Sequence, residues 1–187
     1  MALFDAKKLK DAAWKRFERK IRSGGNEDES RRDWVRDSLS IDAMEKVCSW
    51  LKYRGISLHI ERRQGATFFQ NRKYITLSSA YKLDVALVYL LHECGHALIG
   101  NDVAASKRYS MGYPKQHDPK CNKKFAHRLA VLDEEVEAWH RGKKLAKRLK
   151  IAWSISERLW EEKRLECLKS YVAWTIKPSN FKDHASD

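Results

Sequence analysis

The chain lacks several features at once, and each lack removes a class of protein. Its four cysteines, Cys48, Cys94, Cys121 and Cys167, form no CxxC pair, which argues against a disulfide framework and a four-thiolate zinc site and fits a reducing compartment. The opening MALFDAKKLKDAAWKRFERK has no apolar signal core, and its acids Asp5, Asp11 and Glu18 do not suit a transit peptide. The most apolar run, residues 83–99, is interrupted by Asp84, His92, Glu93 and His96, so no membrane span is expected. There is no phosphate-binding glycine loop and no internal repeat. The expectation is a soluble, cytoplasmic protein.

What is present is one ordinary domain's worth of chain: 187 residues, 43% hydrophobic, with a surface made densely ionic by 34% charged residues. The net charge of +13 favours an acidic partner, either nucleic acid or an acidic protein, against the plainer reading of a solvated basic surface. The stretches Lys107–Arg128 and Arg141–Lys150 carry the densest positive charge and are the expected contact segments.

Periodicity suggests an α+β fold. A basic amphipathic helix covers the first 22 residues, with Phe4, Trp14, Phe17 and Ile21 inward, and SGGNEDESRR reads as a flexible linker. The expected division is therefore residues 1–36 as helix and linker, 37–178 as the main domain, and 179–187 as a loose tail. A second helix is expected from Ser40 as N-cap to Gly55. Residues 56–77, with ISLHIER, ATFFQ and KYITLS, read as a small antiparallel sheet of about three strands. Ser78 or Ser79 then opens a helix to about Ile99, apolar on nearly every side and so central. A long loop over 101–121 and helices over 122–150 and 154–174 complete the chain. Trp153, Trp160, Cys167, Tyr171 and Trp174 recur at helical spacing and read as a packing seam rather than a base-stacking platform.

The chemistry concentrates in LVYLLHECGHALIG, residues 87–100. On a helix His92 and His96 share one face and can offer two imidazole nitrogens to one metal ion, while Glu93, about 100° around from His92, stands where a general base for water belongs. The competing reading makes them core histidines bonded to backbone carbonyls. A catalytic zinc site wants a third protein ligand and an open position. In RLAVLDEEVEAWHRGKKLA, residues 128–146, the apolar arc drawn through Val131, Leu132, Ala138, Trp139, Gly142 and Leu145 has Glu135 in its middle and Glu134 at its edge. A carboxylate at the centre of a buried face is costly unless paired or bound to a cation. Glu135 is thus the expected third ligand and Glu134 the second choice, with a buried salt bridge to Arg or Lys as the competing explanation.

HECGH followed by a helical E-x-x-A, Glu135 to Ala138, resembles the gluzincin branch of the zincin metallopeptidases, particularly the ImmA/IrrE-like and minigluzincin proteins, over about residues 56–150. That resemblance implies a short sheet before the HExxH helix and a later helix bringing the glutamate. It also implies one zinc ion held by His92, His96 and Glu135, Glu93 as the base, and cleavage of peptide bonds in a protein or peptide substrate. Trp139 stands where many such families carry Asp. A donor for the oxyanion is sought among Tyr109, Tyr113, His117 and His127. With the basic surface, the expected substrates are proteins associated with nucleic acid. The alternative is a non-catalytic zincin-fold module that binds nucleic acid or an acidic protein. His117, Cys121 and His127 match no zinc-finger spacing and do not suggest a second site.

Overall fold

A computed structural model describes residues 6–62, 65–113 and 124–176 of the chain. The first two helices, α1 (Ala6–Arg22) and α2 (Glu27–Tyr53), are joined by a tight turn in which Gly24 adopts φ 78°. Asn26 caps α2 by accepting the Glu29 N–H, and Glu27, Asp28 and Glu29 place negative charge at its positive end. The acidic stretch read as a linker is therefore the first turn of a 27-residue helix. The boundary expected after residue 36 falls inside that helix, and Ser40, expected as its cap, is a fully buried mid-helix residue. The two helices meet through Trp14, Phe17 and Trp34, with Trp14 edge-on to Trp34 at 5.4 Å. Phe4 lies outside the described residues.

The three strands are β1 (Ser57–Glu61), β2 (Ala66–Phe69) and β3 (Tyr74–Ser78), in the order β1-β3-β2. The sheet is mixed, not antiparallel: β1 runs parallel to β3, with Leu58 opposite Ile75, and β2 runs antiparallel to β3, with Phe68 opposite Ile75. The cause is burial. Ile75 and Leu77 make β3 the most buried strand, and it takes the central place between the other two, so β2 lies one strand away from β1. The overall class is α+β, mostly helical with this small sheet.

Helix α3 (Leu83–Gly100) begins after the expected Ser78, which ends β3, and its N-cap, Lys82, makes no side-chain bond. It has the length and apolarity of a membrane span by composition, but 61% of it is buried inside the fold against α2, the sheet and the later helices. Within the expected loop 101–121 there is a short helix, α4 (Val103–Arg108), because Asp102 caps it by accepting the N–H groups of Ala104 and Ala105. Helix α5 (Phe125–Arg148), a 3₁₀ turn (Ala152–Ser154) and helix α6 (Glu157–Ile176) follow. The expected tail, residues 179–187, lies outside the described residues.

Two glycines set how near α3 and α5 come. A Cβ on Gly95 would stand 2.0 Å from the carbonyl oxygen of Ala138, and one on Gly142 would stand 2.5 Å from that of Leu91. Backbone thus lies on backbone, which is what brings the polar residues of the two helices together. Replacing Gly142 by Ala is predicted to destabilise the protein by about 1–3 kcal/mol, through overpacking that outweighs its better helix propensity. Urea unfolding checks this, and an unchanged or raised midpoint would contradict it.

Candidate metal centre

Helix α3 supplies His92 and His96 from consecutive turns, and α5 supplies Glu135 from its buried face, where it is 1% exposed. His92 Nε2 lies 3.2 Å from Glu135 Oε2, and His96 Nε2 lies 3.3 Å from Glu135 Oε1. One ligand atom from each of the three residues lies within 4.8 Å of the others, so the group could hold a metal ion. The two histidines face different oxygens of the one carboxylate, and two imidazoles with a carboxylate suit a borderline-soft divalent cation.

Charge points the same way. Glu93, Glu134 and Glu135 are all buried, at 6%, 8% and 1% exposure. Among the described residues their ion-pair partners are His92 and His96, and no Arg or Lys is among them. Burial raises the Glu93 carboxyl above its ordinary value, against the pull of both histidines and a backbone hydrogen bond from Phe68. Burial works against charge on Glu135 too, but His96 and His92 hold its carboxyl well below the ordinary range. Burial likewise opposes charge on His96, yet Glu135 and Glu134 push it up to about 10. Three buried carboxyl groups thus crowd two imidazoles, a setting that a bound cation would suit.

The surroundings orient the two imidazoles unevenly. His96 Nδ1 faces Glu134 Oε1 at 3.6 Å, so Glu134, the second-choice ligand, lies beside His96 and outside the group of three that could hold an ion. His92 Nδ1 is buried with no hydrogen-bond partner, and its ring is held by stacking on Trp139 at 4.4 Å. Stacking there takes the orienting place that a hydrogen bond to a carboxylate fills in many metal sites.

Of the sought donors, Tyr113 is brought to the centre: its hydroxyl donates to Glu135 Oε1. Tyr109 packs instead with Ile99, Ala105 and Ala138, and His127 Nδ1 bonds the Met111 carbonyl oxygen at 2.7 Å. His117 and Cys121 lie outside the described residues. Two residues of the expected packing seam reach the site from α6. Tyr171 OH is 2.6 Å from Tyr113 OH, and the Cys167 thiol, pushed up to about 12 by burial and by Glu135, points at Glu135 Oε2 from 3.8 Å. Helical spacing shared with Trp160 and Trp174 marked them as inward-facing, and nothing in that spacing separates packing from site contact. Against known proteins, the chain matches no family model, no curated protein and no solved structure.

The metal-free pair of His96 and Glu135 sets a pH window. The Glu135 carboxyl sits below its ordinary 4.5, so its contribution to stability is complete above that pH and is lost as the pH falls further. His96 sits above its ordinary 6.5, so its contribution is complete below 6.5 and is lost as the pH rises through about 10. In chelator-treated protein the stability lost on Glu135→Gln is therefore predicted to be greatest between pH 4.5 and 6.5 and to shrink towards pH 10. Urea unfolding across that range measures it, and a loss that grows with pH would contradict the assignment.

Proposed function

We propose that this chain is a zinc-dependent peptidase in which His92, His96 and Glu135 hold the ion and Glu93 handles the proton. The observation that carries the reading is the carboxylate of Glu135, buried between two imidazole nitrogens at 3.2 and 3.3 Å, with a second buried carboxylate beside them: Glu93 Oε1 lies 3.9 Å from His92 Nε2. An ion held by these three residues would keep a position for water or substrate, the pattern of catalytic sites more than of structural ones. When bound, such an ion supplies Lewis acidity to a carbonyl and to water. Glu93 takes the proton of the attacking water on a carboxylate oxygen and returns it to the leaving nitrogen. Its raised carboxyl moves it towards the pKa at which one group does both well.

The neighbouring elements favour a peptide over other amides. Strand β2 is an edge of the sheet, and the backbone of its Phe68 is bonded to Glu93. An extended peptide adding to that edge would run past the base with its amides in line. Tyr113 is the sought donor that reaches the centre; its one hydroxyl proton goes to Glu135 Oε1, so it would serve negative charge on the carbonyl oxygen by turning from that carboxylate.

Zinc-loaded protein is predicted to cleave a peptide library read by mass spectrometry. Glu93→Gln should keep about one equivalent of zinc while losing roughly 10²-fold or more of the turnover. Cleavage unaffected by Glu93→Gln would remove the mechanism. Zinc bound without cleavage by the wild type would assign the ion to structural support.

A further inference from the structure

The basic surface and one aromatic groove, neither of which the metal centre uses, point to a second binding site. An open groove of about 800 Å³ lies where the C-terminal half of α2 faces the junction of α5 and α6, with Lys46, Trp50, Tyr53, Leu149 and Trp153 among its walls. Two of its rings are exposed to an unusual degree, Tyr53 at 88% and Trp153 at 63%. The expected packing seam thus has its first member on the outside. Trp153 is held in place, its Nε1 donating to the Lys150 carbonyl oxygen at 2.8 Å, and beneath the exposed rings the Arg54 guanidinium lies 4.2 Å over the Trp50 ring.

The groove's own lining carries Lys46 against Asp42 and Glu45, and further positive charge stands on its neighbours. Lys46 lines it, Arg54 and Lys150 adjoin it through the contacts just given, and Lys147 and Arg148 are exposed on the turn before Leu149. The acids at the groove are Asp42 and Glu45, and Asp42 is taken by Lys10 at 2.5 Å. Elsewhere the basic stretches expected to meet a partner are partly spent inside the fold. Arg141 serves Glu137, Asp102 and the Leu98 carbonyl, Arg108 serves Asp133, and Lys143 serves Glu157 and Glu161. Within the stretch Arg141–Lys150, the cations outside those pairs are Lys144, Lys147, Arg148 and Lys150, of which the last three adjoin Leu149; α1 carries a separate set of exposed cations.

We propose that this groove binds single-stranded nucleic acid, with bases stacked on Tyr53 and Trp153 and phosphates met by Lys46, Arg54, Lys147, Arg148 and Lys150. An acidic peptide would satisfy the cations but leave both rings without a partner. A duplex would satisfy the cations while keeping its bases stacked on one another, out of reach of the rings. Unstacked bases alone use both features, and residues 42–53 give about 17 Å of helix along which a short run of nucleotides lies. The inference stands apart from the peptidase reading, since none of these residues touches the metal centre.

The test is anisotropy of a short fluorescent oligothymidylate with the full, zinc-loaded chain. Binding is expected to weaken steeply between about 50 and 200 mM salt. Trp153→Ala and Tyr53→Ala should each weaken it by about tenfold with the salt slope unchanged, and Trp153→Phe should largely restore it. Lys46→Gln with Lys150→Gln should instead reduce the slope. Unchanged zinc content and circular dichroism show that the variants are folded. No binding at the lowest salt, wild-type affinity in either aromatic-to-alanine variant, or equal competition by polyglutamate would each overturn the proposal.

Discussion

The structure depends on a carboxylate that has no water to ionise into. Glu135 is 1% exposed, and an ion so placed must be compensated on the spot or cost several kcal/mol. Compensation comes from the neighbouring helix, within reach only because α3 and α5 touch backbone to backbone at Gly95 and Gly142. Close approach, the burial of Glu93 beside His92 and the stacking of His92 on Trp139 follow from the same contact. The hydrophobic core built from α2, α3, the sheet and α5 keeps that contact dry. Dryness in turn strengthens each electrostatic interaction inside it.

Part of this arrangement is legible in the residue order, and the reason is that helical geometry is local. The four-residue step from His92 to His96 needs no tertiary information, and the angular position of Glu135 on its own apolar arc needs only the period of a helix. What escaped depends on distant parts of the chain. Strand order is decided by which strand is most buried, so a run of short strands with turns between them does not announce that β1 and β3 are parallel. The acids after Asn26 look like linker charge until a cap makes them a first turn. Tyr171, 36 positions beyond Glu135 in the numbering, joins the centre through Tyr113, and its helical phase alone reads as packing.

The same division separates the inner and outer faces of the molecule. Positive charge in the sequence suggested a partner, but position decides which cations are available, and the long-range pairing of Arg141 with Asp102 cannot be seen in a run of basic residues. Aromatic periodicity likewise could not tell Trp160, at 3% exposure, from Trp153, at 63%. The turn after α5, where Lys150 takes φ 55°, separates the two. It places Trp153 outside and leaves Trp160 packed edge-on against Trp139, which in turn stacks on His92.

The central claim is that Glu135 and the two histidines share one ion. X-ray absorption at the zinc edge of the loaded protein tests it most directly, because it reports the ligand atoms themselves. The account predicts a four-coordinate shell of nitrogen and oxygen at about 2.0–2.1 Å with the outer-shell signature of two imidazoles, and Glu135→Gln should disturb it. A sulfur at about 2.3 Å would place the ion on Cys167 or another cysteine. A shell without imidazole would place it elsewhere on the protein, and either result would contradict the account.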